Sequence, residues 1–167
     1  YNVLFVNENS GIVVGERGTV LRTIHGGLNW ETIFTMDNSK FSGIYFQNTS
    51  TGWICGYNNN NVHGIIYKTT DSGVTWKLNF TSTYDERFYK IFFLNSDYGF
   101  VGSGTSLFKT TNGGVNWLIV NFLSRSIDFD MVDSLNIIFA GGYTIGSTSH
   151  GTIIKTTDGG VVDIVPL

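Results

Sequence analysis

Short apolar runs alternate with polar clusters along the whole chain. The runs are four to seven residues long and rich in Val, Ile, Phe, Tyr and Trp, and each is closed by Asn, Asp, Ser, Thr or Gly. Runs of that length and composition, bounded by turn residues, predict β-strands. No window carries apolar residues at the 3.6-residue period of a helix. In the second stretch the expected strands are Phe41–Phe46, Trp53–Tyr57, Gly64–Thr69 and Thr75–Phe80. In the last they are Ser126–Met131, Ile137–Ala140, Thr152–Thr156 and Val162–Leu167.

The pattern repeats. Arg22-Thr-Ile-His-Gly-Gly-Leu-Asn-Trp30, Lys68-Thr-Thr-Asp-Ser-Gly-Val-Thr-Trp76 and Lys109-Thr-Thr-Asn-Gly-Gly-Val-Asn-Trp117 are one phrase written three times. A fourth copy, Lys155-Thr-Thr-Asp-Gly-Gly-Val-Val-Asp163, ends in Asp where the others have Trp. Phe5, Phe46 and Met131 each lie ten residues before a glycine, at Gly15, Gly56 and Gly141. Four short strands in each unit of about 40 to 50 residues is the arithmetic of a β-propeller blade. The chain is therefore read as all-β, a β-propeller of four-stranded antiparallel blades. Four blades are expected, at about 1–36, 37–82, 83–123 and 124–167.

Thr69-x-Asp71-x-Gly73-x-Thr75-Trp76 resembles the Asp-box, the Ser/Thr-x-Asp-x-Gly-x-Thr-Trp hairpin of bacterial-neuraminidase-type repeats. The wider phrase, Gly11-Ile-Val-Val-Gly15 followed by Gly18-Thr-Val-Leu-Arg-Thr23 and Gly26-Gly27, resembles the photosystem II stability/assembly-factor-like propellers. The resemblance covers nearly the whole chain and specifies fold far better than function. His25 and Asn112 stand where the box has Asp, and Asp163 where it has Trp. The box set is Gly27, Trp30, Thr69, Asp71, Gly73, Trp76, Asn112, Gly114, Trp117, Asp158 and Gly160. Its role is read as structural. A carboxylate or amide at the third position accepts N–H groups of the turn, glycine permits positive φ, and the Trp ring covers the hairpin. The resemblance also implies that these hairpins lie away from any ligand funnel. His25 predicts a looser first hairpin.

Composition narrows the task. Lys plus Arg is 10 against 13 Asp plus Glu, a net charge of −3, and only 14% of residues are charged. No basic balance exists to condense on phosphate backbones, so nucleic acid is not an expected partner. No run is long and apolar enough to span a membrane. Cys55 is the single cysteine, which excludes an intrachain disulfide and a cysteine metal cluster. It reads as a small core residue. The chain begins at Tyr1 with no signal-peptide pattern, so a leader already removed, or a segment of something longer, is expected. Asn48-Thr-Ser50 and Asn79-Phe-Thr81 fit the glycosylation acceptor pattern, which arises often by chance in an Asn-rich chain.

Candidate chemistry is sparse. His25, His63 and His150 have no metal-ligand spacing, and no phosphate loop or nucleophile elbow is present, so no metal or cofactor is expected. Aligning the first strands puts Asn2, Gly43, Lys90 and Asp128 in one row, small or polar, as an innermost strand facing a channel requires. Asp128 and Asp130 point to one strand face about 7 Å apart. Glycosidases use carboxylate pairs at such separations, but flanking a substrate and not side by side on one strand. A salt bridge from Asp128 to Lys90, or a solvated carboxylate, is the plainer reading.

Units two and four carry extra residues between their second and third strands, at Asn58–His63 and Tyr143–His150. Length variation confined to one position of a repeat falls on one face, often the binding face. The expected recognition rim therefore bears Tyr57, Asn59, His63, Tyr143 and His150, with Lys90 and Asp128 in the channel. The function expected is a non-enzymatic binding or assembly scaffold outside the cytoplasm, holding a protein or a glycan. The alternative is a fragment of an Asp-box glycoside hydrolase. Four blades can close as a small ring, form half of an eight-bladed ring by dimerising, or belong to a longer run. The fourth unit is expected to be the weakest, because Asp163 cannot cover its hairpin and Pro166 removes a strand donor.

Overall fold

The computed structural model describes residues 1–104, 106–122, 126–131, 133, 135–145 and 148–156. All regular structure in them is β, and no helix is long and apolar enough to cross a membrane. Fifteen strands form four antiparallel sheets. The first holds β1 (Asn2–Phe5), β2 (Gly11–Val14), β3 (Val20–Thr23) and β4 (Glu31–Phe34) in chain order. The second holds β5 (Ser39–Phe46), β6 (Gly52–Asn58), β7 (His63–Thr69) and β8 (Lys77–Asp85). The third holds β9 (Phe88–Phe93), β10 (Gly99–Ser103), β11 (Ser106–Thr110) and β12 (Leu118–Phe122). The fourth pairs β13 (Ser126–Met131), β14 (Ile137–Ile145) and β15 (Thr148–Thr156). These are the four expected blades. The last expected strand, Val162–Leu167, lies outside the described residues, as do Asp158, Gly160 and Asp163.

The turns follow from their side chains. Asn7, Asn48, Asn95 and Asp133 occupy one position of the repeat, and each uses Oδ1 to accept the N–H groups two and three residues on. That Asx turn reverses the chain between the first and second strand of every blade.

Two expectations on strand limits are corrected. The insertions are not loops but longer ladders: Tyr143 pairs with His150 in register, and the ladder runs on to Ile145↔Thr148. Likewise β8 runs to Asp85, which pairs with His63. Extra backbone beside extra backbone completes its hydrogen bonds most cheaply by continuing the sheet. The box tryptophans also do not start the outer strands, which begin one residue later at Glu31, Lys77 and Leu118.

The chain forms two compact units, Tyr1–Ile91 and Phe92–Leu167. In the first unit, Ile12, Val14 and Val20 of the first blade pack against Phe41, Ile44, Ile54 and Ile65 of the second. Phe34 joins this layer, its ring edge-on to Phe41 at 5.9 Å and tilted against Tyr67 at 5.8 Å. In the second unit Phe100, Leu107, Phe129 and Ile137 form the core. Bulges fall at matching points of β5 and β13, opposite Gly56 and Gly141, and carry the chain into the Gly43 and Asp128 positions. A Cβ on Gly56 would stand 1.8 Å from the Lys40 carbonyl oxygen, so that position admits only glycine.

Candidate functional site

Each blade has two ends of opposite character. At one end the box hairpin meets the turn between the first two strands. Gly26, Ser72 and Gly113 donate backbone N–H groups to the carbonyls of Asn9, Ser50 and Asp97, at 2.8, 2.9 and 3.0 Å. The box itself is closed on its own groups. Thr69 Oγ1 accepts the N–H groups of Asp71 and Gly73 and donates to Asp71 Oδ1 at 2.8 Å. Asp71 then accepts the Thr75 N–H at 2.8 Å and the Thr75 hydroxyl at 2.6 Å. The Thr75 hydroxyl, and behind it the Thr75 N–H, hold the Asp71 carboxyl down to about 2. Thr110, Asn112, Gly114 and Asn116 repeat the arrangement with an amide in place of the carboxylate. In the first blade only the Thr23 contacts to His25 and Gly27 remain. All of this spends the polar groups on the fold, so the box end presents a stapled hairpin and no chemistry.

The other end carries the hairpins between second and third strands. The β6–β7 hairpin projects Asn59, Asn60 and Asn61 into solvent. Its backbone is held from below. Asn59 donates to the Asn38 carbonyl at 2.6 Å, and Val62 receives the Glu86 N–H at 2.9 Å. Asn58 Oδ1 and Asn61 Oδ1 accept the N–H groups of Asn60 and His63. Val62 has φ of 55°, a conformation that a β-branched residue adopts only when its surroundings impose it.

Around this hairpin lie an aromatic ring and three charges. The Arg87 guanidinium sits over the Tyr57 ring, 5.1 Å from its centre, a cation–π contact. Lys40, across the ladder from Tyr57, meets Glu16 at 2.7 Å. Its hydrogen bond to Glu16 raises the Lys40 pKa against the effect of burial. Arg17 stands beside Glu16 in a turn at φ 54°, exposed.

The structure brings Tyr57, Asn59 and His63 together on one hairpin, half-buried at Tyr57 and His63 and exposed at Asn59. It pairs Tyr143 with His150 through the backbone of a second such hairpin, in the other unit. The expected row on the innermost strands is also present in the first unit. Asn2 donates to the Ser42 carbonyl at 3.3 Å, and Gly43 lies against the backbone of Tyr89 and Lys90. Asp128 and Asp130 are exposed on β13, and Asp128 Oδ1 accepts the N–H of Phe129 at 2.9 Å. Cys55 is buried under Gly43, and burial pushes its thiol pKa up, which suits a core residue and not a nucleophile. Among the described residues no group of three or more His, Cys, Asp or Glu is placed to hold a metal ion. Sequence reasoning missed the roles of Arg87, Lys40 and Glu16. Their one signal was proximity to the insertion or to a strand end, and the contacts they make are distant in sequence.

The family described as photosynthesis system II assembly factor YCF48 matches residues 1–79. Among solved structures, YCF48 bound to D1 peptide is similar with 18% identity and a TM-score of 0.65, over 89% of this chain and 52% of that one. YCF48 from Cyanidioschyzon merolae is similar with 17% identity and a TM-score of 0.66, over 100% of this chain and 67% of that one. The chain is a BNR-type β-propeller resembling the photosystem II assembly factor. An ancestral GH74 enzyme shares the fold too, with 14% identity and a TM-score of 0.76, over 99% of this chain and 25% of that one. The chain thus spans about half, two thirds and a quarter of these three proteins. No curated protein matches the sequence.

Proposed function

We propose that the chain is a non-enzymatic assembly scaffold that binds a protein segment at the β2–β3-hairpin end of its blades, outside the cytoplasm. One observation carries the reading. The box end satisfies its own polar groups, whereas the hairpin end offers Tyr57 with Arg87 on its face, exposed amides at Asn59–Asn61 and a strained Val62. An aromatic–guanidinium pair ringed by amides suits recognition of a peptide, by stacking and by adaptable hydrogen bonds. The likeness to a YCF48 bound to D1 peptide points the same way. His63, Tyr143, His150, Lys90 and Asp128 extend the same proposed surface; a glycan would use the same aromatic and amide groups.

Overlapping peptides spanning D1 are the first probes. A peptide that binds the chain should lose at least tenfold in affinity to Tyr57→Ala and Arg87→Ala, with thermal stability unchanged. Equal affinity in both variants would remove the hairpin end from the reading. A second reading, a fragment of an Asp-box glycoside hydrolase, draws on the GH74 likeness and the exposed Asp128 and Asp130. Turnover of a sialoside or β-glucan, lost in Asp128→Asn and Asp130→Asn, would establish it instead.

A further inference from the structure

The joint between the first two blades shows what each blade face is for. The first blade contributes the face bearing Ile12, Val14 and Val20. The second contributes the opposite face of its own sheet, bearing Ile44, Ile54 and Tyr67. Register fixes the equivalents, since Phe5↔Gly11 and Phe46↔Gly52 are the same pair in the two blades. Ile44, Ile54 and Tyr67 of the second blade therefore correspond to Val3, Val13 and Leu21 of the first.

Those three positions are covered in the second blade and open in the first. Val3 is 56% exposed, and a cavity of about 310 Å³ lies between Tyr1, Val13, Thr19 and Leu21. Tyr1 lies over Gly15 at one edge of it. This is the socket that Ile12, Val14 and Val20 fill one blade later. The matching plug also stands open in the chain. By the register Met131↔Ile137 and Ile138↔Lys155, the fourth-blade counterparts of Ile12 and Val20 are Ile138 and Ile153. Ile12 and Val20 are buried, whereas Ile138 is exposed and Ile153 is 49% exposed.

We infer that the open face of the first blade docks the open face of the fourth blade of a second copy of this chain, head to tail. Three observations favour that occupant. The interface type already exists within the chain, so the new contact continues a packing the sequence is built to make. Both halves are apolar and carry the same residue types as the buried joint. The chain also spans only about half and two thirds of the YCF48 structures it resembles, so two copies supply what one run of four blades lacks. A head-to-tail contact closes when its rotation allows, and propellers close at four to eight blades.

The test uses the 167-residue chain and two surface variants, Val3→Asp and Ile153→Asp. Sedimentation of the parent chain should show concentration-dependent dimers, and each variant alone should be monomeric. An equimolar mixture of the two should recover a dimer, because one intact first-blade face then meets one intact fourth-blade face. Near- and far-UV circular dichroism and the melting temperature should not change, since both side chains are on the surface. A parent chain that stays monomeric at the highest concentration attainable overturns the inference. So does a dimer abolished by Val3→Asp but untouched by Ile153→Asp, which would mean face-to-face pairing of first blades. Failure of the peptide-binding reading leaves this result unaffected, because Val3 and Ile153 lie outside the hairpin end.

Discussion

Trp76 meets Phe46 edge-on, with ring centres 6.0 Å apart and planes at 89°. The same pair recurs as Phe5–Trp30 at 6.0 Å and 79°, and as Phe93–Trp117 at 5.8 Å and 78°. Each phenylalanine ring lies flat over the glycine opposite it on the next strand, Gly11, Gly52 or Gly99. A glycine, a ring over it and an indole against that ring tie the first, second and outer strands of a blade into one stack. In the fourth blade Met131 faces Ile137 at this position.

Truncation of the tryptophans should rank by burial. Trp117 is 6% exposed and Trp30 36%. Trp117→Ala should cost about 3–5 kcal/mol, the usual range for a buried aromatic, and Trp30→Ala clearly less. Trp76 should fall between them, although its Nε1 donates to the Gly73 carbonyl at 3.2 Å. Urea denaturation of the three variants checks the order; equal losses would mean that burial of the ring is not what the position supplies.

Gly56→Ala should be among the most damaging single-methyl additions in the molecule. The methyl would meet the Lys40 carbonyl oxygen at the β5 bulge, backbone against backbone, with no flexible side chain to yield. Overpacking costs about 1–3 kcal/mol and more where the backbone must shift. Gly11→Ala, whose methyl would meet the Phe5 ring at 2.9 Å, should be milder, because that ring is exposed and can swing away. Thermal melts of both variants decide it, and equal melting temperatures would sink the argument.

How far the fold is legible from residues depends on whether the information is local. The box phrase around Trp76 and the Asx turn at Asn48 announce themselves, because each is closed by groups within four residues of one another. Phe46 and Trp76 were each visible as repeated positions, but their contact was not, since it needs the blade folded. Asn58–His63 reads as a loop by propensity, yet its flanks pair on to His63↔Asp85, because tertiary ladders override weak local preference. Arg87 over Tyr57 is illegible for the same reason: thirty residues of intervening sheet bring them together. The expected slow and fast exchange of amides near Val162 concerns residues outside the described ones.

Acid should find the second box first. Asp71 has its carboxyl lowered from an ordinary 3.8 to about 2, chiefly by the Thr75 hydroxyl. A depressed carboxyl contributes stability that is present above the unfolded pKa and is lost as pH falls through the folded one. The contribution is therefore whole above about pH 4 and gone near pH 2. Asp71→Asn, which copies the natural Asn112 box, should melt below the parent at pH 6 and approach it as pH drops towards 2. A gap between the two melting temperatures that stays constant over that window would show that the charge on Asp71 plays no part.

The first box can be repaired. In blades two and three the third-position side chain accepts the N–H four residues on, Thr75 at 2.8 Å and Asn116 at 2.9 Å. His25 holds that position in blade one and accepts no such bond, although Thr23 still accepts from His25 and Gly27 at 3.1 Å. The scaffold of the motif is thus in place, with glycines at φ 64° and 89°, and only the acceptor is missing. His25→Asp should restore it to Asn29 and raise stability by about 0.5–1.5 kcal/mol, the net worth of one such hydrogen bond. Because the site is on the surface, the gain should sit at the lower end of that range and shrink below pH 4 as the new carboxyl protonates. Urea denaturation at pH 7 and pH 3 measures both parts. A variant no more stable than the parent at pH 7 would mean that Trp30, exposed as it is, leaves the hairpin too loose for the acceptor to find its donor.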